Sequence, residues 1–190
     1  AFLNFTGDTE RGIGVCDKLS WYLKHNLPAP DSDREFAASR QLMITRLDIA
    51  HVGFLIDAAR FSEVGEVLAR TLRQVADTGD ARLQAIFALS WGNLFSLRGE
   101  YAAAQEQLSQ AWRMSMEIAS PELMTINLLM QGEIALNQNN EEMAQTYFEQ
   151  ALELAQNTDS RWISCEAHRL YSQWNLDMGA YGQAQEHLDF

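Results

Sequence analysis

The chain has 190 residues, 47% hydrophobic and 21% charged, an ordinary balance for a folded protein with a sizeable core. Its 14 Lys and Arg against 26 Asp and Glu give a formal charge of −12, which argues against the clustered basic footprint of a phosphate-backbone binder and so against a direct nucleic-acid partner. No apolar run approaches the roughly 20 residues that span a bilayer, and no charged-then-apolar leader opens the chain, so the expectation is a cytoplasmic protein without membrane insertion. Cys16 and Cys165 stand far apart in unlike contexts and read as reduced thiols, not as the disulfide framework of a small secreted domain.

In chain order, residues 1–5 read as the tail of one helix, followed by a turn at Gly7 and a start capped by Asp8 or Thr9. The helix through Trp21 should end by Asn26, because Pro28 and Pro30 bias the residues before them away from helical dihedrals. Leu27 to Asp33 is the longest break. Arg34 to Ala58 is continuously compatible with a helix, its apolar positions (Phe36, Leu42, Leu47, Ile49, Val52, Leu55) falling near the 3.6-residue period. Phe61 and Val64 begin a helix that runs to about Ala76 and stops at Thr78-Gly79, where glycine can take the left-handed capping conformation. Asp80 can cap the next helix. The same punctuation follows at Ser120-Pro121 and at Asn157 to Ser160, and Pro121 suits a first helical position, where its missing N–H would have been unpaired anyway. The last helix starts near Tyr181 and is cut off at Phe190, so the expectation is a fragment of a longer array whose catalytic or DNA-binding domain, if any, lies outside it.

Within this series a unit recurs at about 40 residues, inside the range of helical-repeat periods. Gly92, Ala104 and Ala111 reappear as Gly132, Ala144 and Ala151. Gly99 maps through Asn139 to Gly179, Tyr101 through Glu141 to Tyr181, Ala104 through Ala144 to Ala184, and Leu108 through Phe148 to Leu188. The set Gly92, Phe95, Gly99, Tyr101, Ala104 and Ala111 resembles the tetratricopeptide repeat: a small residue in mid-helix, an aromatic after it, a turn with Gly then Tyr, and paired alanines in the second helix. The unit is similar to the longer-period arrays of bacterial signalling and transcription-regulatory proteins. It departs from the pattern at Ser172 and Gln131, where Gly and Trp-like residues would stand.

The resemblance implies an all-α fold, a right-handed α-solenoid of stacked antiparallel helical hairpins forming one domain. Its parts would be a partial repeat at 1–26, a Pro-containing linker at 27–33, repeats at 34–79, 80–119 and 120–159, and a truncated repeat at 160–190. At the crossing of each hairpin, an alanine lets the helix axes approach and a larger side chain opposite fills the gap. Ala104, Ala144 and Ala184 take the first role, and Phe95, Leu108, Phe148 and Leu188 the second. Tyr101 and Tyr181 would pack their rings on the preceding helix or stand as solvent-edge aromatics.

The resemblance also implies a concave surface lined by the first helix of each repeat. By register its groove residues are Arg46 and Ile49, then Ile86, Leu89 and Asn93, then Ile126, Leu129 and Glu133, and finally Arg169 and Gln173, with Glu166 and Asp177 beside them. Family members that grip a C-terminal carboxylate use a lysine where this chain has Leu89 and Leu129, so that clamp is absent although Asn93 fits. The apolar middle suits an amphipathic helix or an extended apolar segment. It is equally consistent with leucines covered by the superhelix itself.

Candidate chemistry is sparse. Cys165 and His168 share a helix face at i and i+3, but two ligands do not close a tetrahedral zinc site, and His25, His51 and His187 stand isolated in the sequence. There is no HExxH, CxxC, phosphate-binding glycine loop or GxSxG elbow. Glu141 and Glu142 open a helix, where negative charge meets the macrodipole. The methionines read as core filling. No metal, cofactor or catalytic residue is expected. The leading function is a non-catalytic interaction or sensor module that binds a protein or peptide, part of a bacterial signalling protein of diguanylate-cyclase type. The alternatives are an effector-sensing superhelix of a transcriptional activator and a scaffold that self-associates by end-to-end stacking.

Overall fold

Every described segment of the chain is helical or a short turn, and a computed structural model describes residues 9–26 and 34–188. Among these residues nine helices form and no strand: α1 Thr9–His25, α2 Arg34–Asp57, α3 Phe61–Thr78, α4 Ala81–Leu97, α5 Tyr101–Glu117, α6 Pro121–Asn137, α7 Glu141–Ala155, α8 Arg161–Asp177 and α9 Tyr181–Leu188. Readings that fall on 1–8 and 27–33, and the packing of the Leu188 side chain, lie outside the described residues. The chain is an all-α helical-repeat solenoid of antiparallel hairpins.

The hairpin turns carry the periodicity. Residues in the left-handed region stand at Ala59, Gly99, Asn139 and Gly179, with φ of 55°, 76°, 57° and 74°, one per interval of about 40 residues. Three of these helix ends close by the same long bond, from Arg60 N–H to the Leu55 carbonyl, Asn140 N–H to Ala135 and Ala180 N–H to Asn175, the bond that satisfies otherwise orphaned carbonyls in a left-handed cap. At the starts of helices, Asp80, Ser120 and Asn140 accept from the backbone N–H of Leu83, Leu123 and Met143. Pro121 sits in the first turn of α6, as its missing donor allows.

The chain divides into two compact units, residues 1–98 and 99–190. In the first, α2 packs against α1, α3 and α4. Leu55, Val64, Leu68 and Leu94 are fully buried at its centre. Asp48 is also buried there, its carboxylate accepting from Arg70 Nη2 at 3.0 Å and from Thr71 Oγ1 at 3.4 Å. In the second unit, α6 packs against α5, α7 and α8, and α8 against α9. Ala144, Ala151, Ile163 and Ala167 are fully buried and Phe148 is 1% exposed. Ala104, Ala111 and Ala184 are likewise fully buried.

The aromatic in mid-turn is not uniform. Tyr101 is half-buried, whereas Tyr181 stands 71% exposed. Of the two readings for Tyr181, the packed ring is therefore wrong and the solvent-edge aromatic right. Tyr181 is the first residue of a short helix, a turn ahead of buried Ala184, and its ring projects beyond the packed surface.

Candidate functional site

The predicted groove residues come from first helices, so their positions follow from which side of α2, α4, α6 and α8 each side chain takes. In the first unit Arg46 is 62% exposed on α2 and reaches Asp80 at the start of α4, Nη2 to Oδ2 at 3.5 Å. Ile49 is half-buried against the core, and Ile86 and Asn93 are half-buried on α4. In the second unit Ile126 is half-buried against the core, and Glu133, Arg169 and Gln173 are exposed.

Leu89 and Leu129 depart from the open-groove expectation: each is 4% exposed. These leucines are interior residues. A leucine carries nothing that keeps it at the surface, so any neighbouring element that covers it gains about 25 cal/mol per Å² of apolar area removed from water.

On the first helices of the second unit, the polar Glu133, Arg169 and Gln173 are exposed, as is the apolar Leu176 of α8. Arg169 makes a bidentate pair with Glu166 on its own helix, Nε to Oε2 and Nη2 to Oε1, both 2.8 Å. Glu133 on α6 belongs to the same electrostatic group. Protein surrounds its carboxyl closely enough for desolvation to raise its pKa, Glu166 pushes the same way, and Arg169 opposes. Gln173 donates to Asp177 Oδ1 at 3.1 Å, extending the polar strip along α8. Glu133, Glu166, Arg169 and Gln173 thus share one mixed-charge face, while Arg46 and Asp80 make a separate pair in the first unit.

Three features were not read from the sequence. His187 is not isolated: its Nδ1 lies 2.9 Å from Nδ1 of His168, with Tyr171 edge-on to the His187 ring. One ring must donate and the other accept. Burial, and then His187, lower the pKa of His168. His51 is buried on α2 with Asp17 3.9 Å from its Nδ1, and burial lowers its pKa despite Asp17. Finally, a cleft of about 620 Å³ opens between α5 and α7 over the side of α6 that carries Leu128 and Gln131. Its one visible signal was that Gln131 breaks the repeat pattern. Among the described residues no three His, Cys, Asp or Glu side chains converge as a metal site, and Cys16 and Cys165 are both free. No helix among them is long and apolar enough to cross a membrane.

Neither a scan against protein-family models nor a search of the curated proteins returns a match. Solved structures do match. The crystal structure of BtubC (BKLC) from P. vanneervenii is 15% identical with a TM-score of 0.67, the match covering 94% of this chain and 70% of that one. The apo form of RapI is 16% identical with a TM-score of 0.68, covering 98% of this chain and 48% of that one. The chain therefore spans about half the length of RapI. At these identities the likeness carries the fold, an all-helical repeat solenoid, and the site residues have to carry the function.

Proposed function

We propose that this chain is a non-catalytic protein-interaction module of the tetratricopeptide type, with repeats at 34–79, 80–119, 120–159 and 160–190 and a part repeat at 1–26, and that it binds a peptide or protein segment along its first helices. The observation that supports this reading best is the face built by Glu133, Glu166, Arg169 and Gln173. Its charges are mixed in sign, with Glu133 and Arg169 exposed and Glu166 half-buried in its ion pair with Arg169. Such a strip offers a partner both donors and acceptors while adding no net pull on nucleic acid, and the formal charge of −12 works against polyanions generally. With Leu129 buried, specificity in the second unit rests on these polar groups and on the half-buried Ile126 of α6.

In the wider protein the module serves as the sensing or docking arm of a bacterial signalling protein, with a diguanylate-cyclase type of output favoured. Intact-mass measurement of the native polypeptide tests that part. For the binding face, linear twelve-residue peptides selected by phage display against the full chain should lose affinity when Glu133→Lys and Arg169→Glu are combined. Peptides that bind the charge-reversed, still helical variant unchanged would remove this face from the function.

A further inference from the structure

The 120–159 unit differs from its neighbours at two positions one helical turn apart, one buried and one half-buried. About 40 residues to either side the corresponding pairs are Phe87 with Trp91 and Ala167 with Tyr171; here they are Asn127 with Gln131. In the first unit the Trp91 ring packs on the core and stacks on Phe95 at 5.3 Å. In the second, Tyr171 is 9% exposed and lies 5.4 Å from the Trp174 ring. Gln131 puts a shorter polar side chain where those rings stand, and the cleft of about 620 Å³ between α5 and α7 lies over it. A second hollow of about 150 Å³ continues the cleft, sharing Gln131 and Tyr147.

The carboxamide pair is held in one orientation. Asn127, fully buried, donates from Nδ2 to the Leu108 carbonyl at 2.7 Å. A carbonyl only accepts, so Asn127 Oδ1 must face Gln131, whose Nε2 donates to it. Among the described residues, Gln131 has no second hydrogen-bond partner for its remaining N–H and its Oε1, beside the cleft. An apolar pair would pack this interior with less polar desolvation, and departures from the local rule of that kind concentrate at functional sites.

We propose that this cleft is a binding site for an extended peptide segment, its main chain held by Gln131 and its apolar side chain laid against Trp112. A carboxamide presents a donor and an acceptor side by side, the complement of a main-chain N–H and C=O. The lining repeats that pair along both hollows, at Gln105, Gln138 and Gln150. A linear polymer with one donor and one acceptor per residue uses such a series, whereas a single planar ring uses one member. Glu106 and Arg113 are the two charged residues of the larger hollow and they cancel, which gives no preference for phosphate. The site lies on the other side of α6 from Ile126 and Glu133, so it is independent of the first-helix face.

The test uses the full chain labelled with ¹⁵N and synthetic twelve-residue peptides taken from a phage-display selection. A peptide in the cleft shifts the Gln131 Nε2 and Trp112 Nε1 resonances, and Gln131→Tyr, which restores the ring of the neighbouring repeats, weakens it by about tenfold or more without lowering the melting temperature. Should Gln131→Tyr not fold, Trp112→Ala must show the same loss. Selected peptides that leave both resonances unmoved overturn the proposal. So does a shift of those resonances by adenosine or methyl glucoside and not by any peptide.

Discussion

The ring of Phe148 fills the space that a side chain on Gly132 would need: a Cβ placed there would lie 2.5 Å from Phe148 Cε1 and under 3 Å from two further ring atoms. This contact between α6 and α7 explains the small residue at Gly132, because the aromatic it receives is 1% exposed and cannot withdraw. Gly132→Ala should therefore destabilise by about 1–3 kcal/mol through overpacking, outweighing the roughly 1 kcal/mol that alanine gains in helix propensity. Urea unfolding would show it, and adding Phe148→Leu should recover part of the loss. A stabilised Gly132→Ala protein would contradict the contact.

A different crowding test lies at Ala144, fully buried in the second helix of the same hairpin. Ala144→Leu should lower the unfolding midpoint by an amount equivalent to about 1–3 kcal/mol. Tyr181→Ala, at a 71% exposed position, should stay within about 0.5 kcal/mol of the parent.

Asp48 and Arg70 predict an asymmetry. The Asp48 side chain is 3% exposed and that of Arg70 50%. Removing the arginine strands a buried carboxylate whose other contact among the described residues is the Thr71 hydroxyl at 3.4 Å, itself 2.7 Å from the Val67 carbonyl, whereas removing the charge at Asp48 leaves a cation that water can reach. Arg70→Met should cost on the order of 3 kcal/mol and Asp48→Asn clearly less, measured by chemical denaturation near neutral pH. Equal losses would mean the pair acts only through packing.

Acid should weaken the fold through two histidines. Burial holds His51 and His168 below their ordinary 6.5, so near and below that pH the unfolded chain binds more protons than the folded one. Their contribution is complete above 6.5 and is lost as pH falls from there through the lowered folded values. A denaturation midpoint that falls from pH 7.5 to pH 5.5, with a shallower fall in His168→Gln, is expected. Glu133, whose pKa is raised, works in the opposite sense at lower pH, where protonation relieves its crowded carboxylate. A midpoint that rises on acidification between 7.5 and 5.5 would contradict the histidine assignment.

Much of the architecture was legible because turn chemistry is local. The left-handed positions at Gly99, Asn139 and Gly179, the Asp80 and Ser120 caps and Pro121 each depend on residues within one turn of them. Which side of a first helix stays open was not legible in the same way. Leu89 and Leu129 are apolar on either reading, and only the packing of neighbouring elements decides that they are buried. The His168 and His187 contact spans a hairpin and needs the register of two helices at once. Gln131 was visible as a break in the pattern, but the cleft over it required α5 and α7 to be placed.

The burial of those leucines also changes what a groove mutation should do. Leu129→Glu should unfold the second unit's core and lose helical signal, because an ionised carboxylate would replace a buried side chain. A Leu129→Glu protein with the parent's circular dichroism and melting temperature would return Leu129 to the surface.

The central claim is that the first-helix face of the second unit binds a peptide or protein, and hydrogen exchange of the full chain with and without a display-selected peptide tests it most directly. The account predicts added protection over 126–133 of α6 and 166–173 of α8, abolished when Glu133→Lys and Arg169→Glu are combined. Protection absent from α8, or unchanged by the charge reversal in a folded protein, would contradict it.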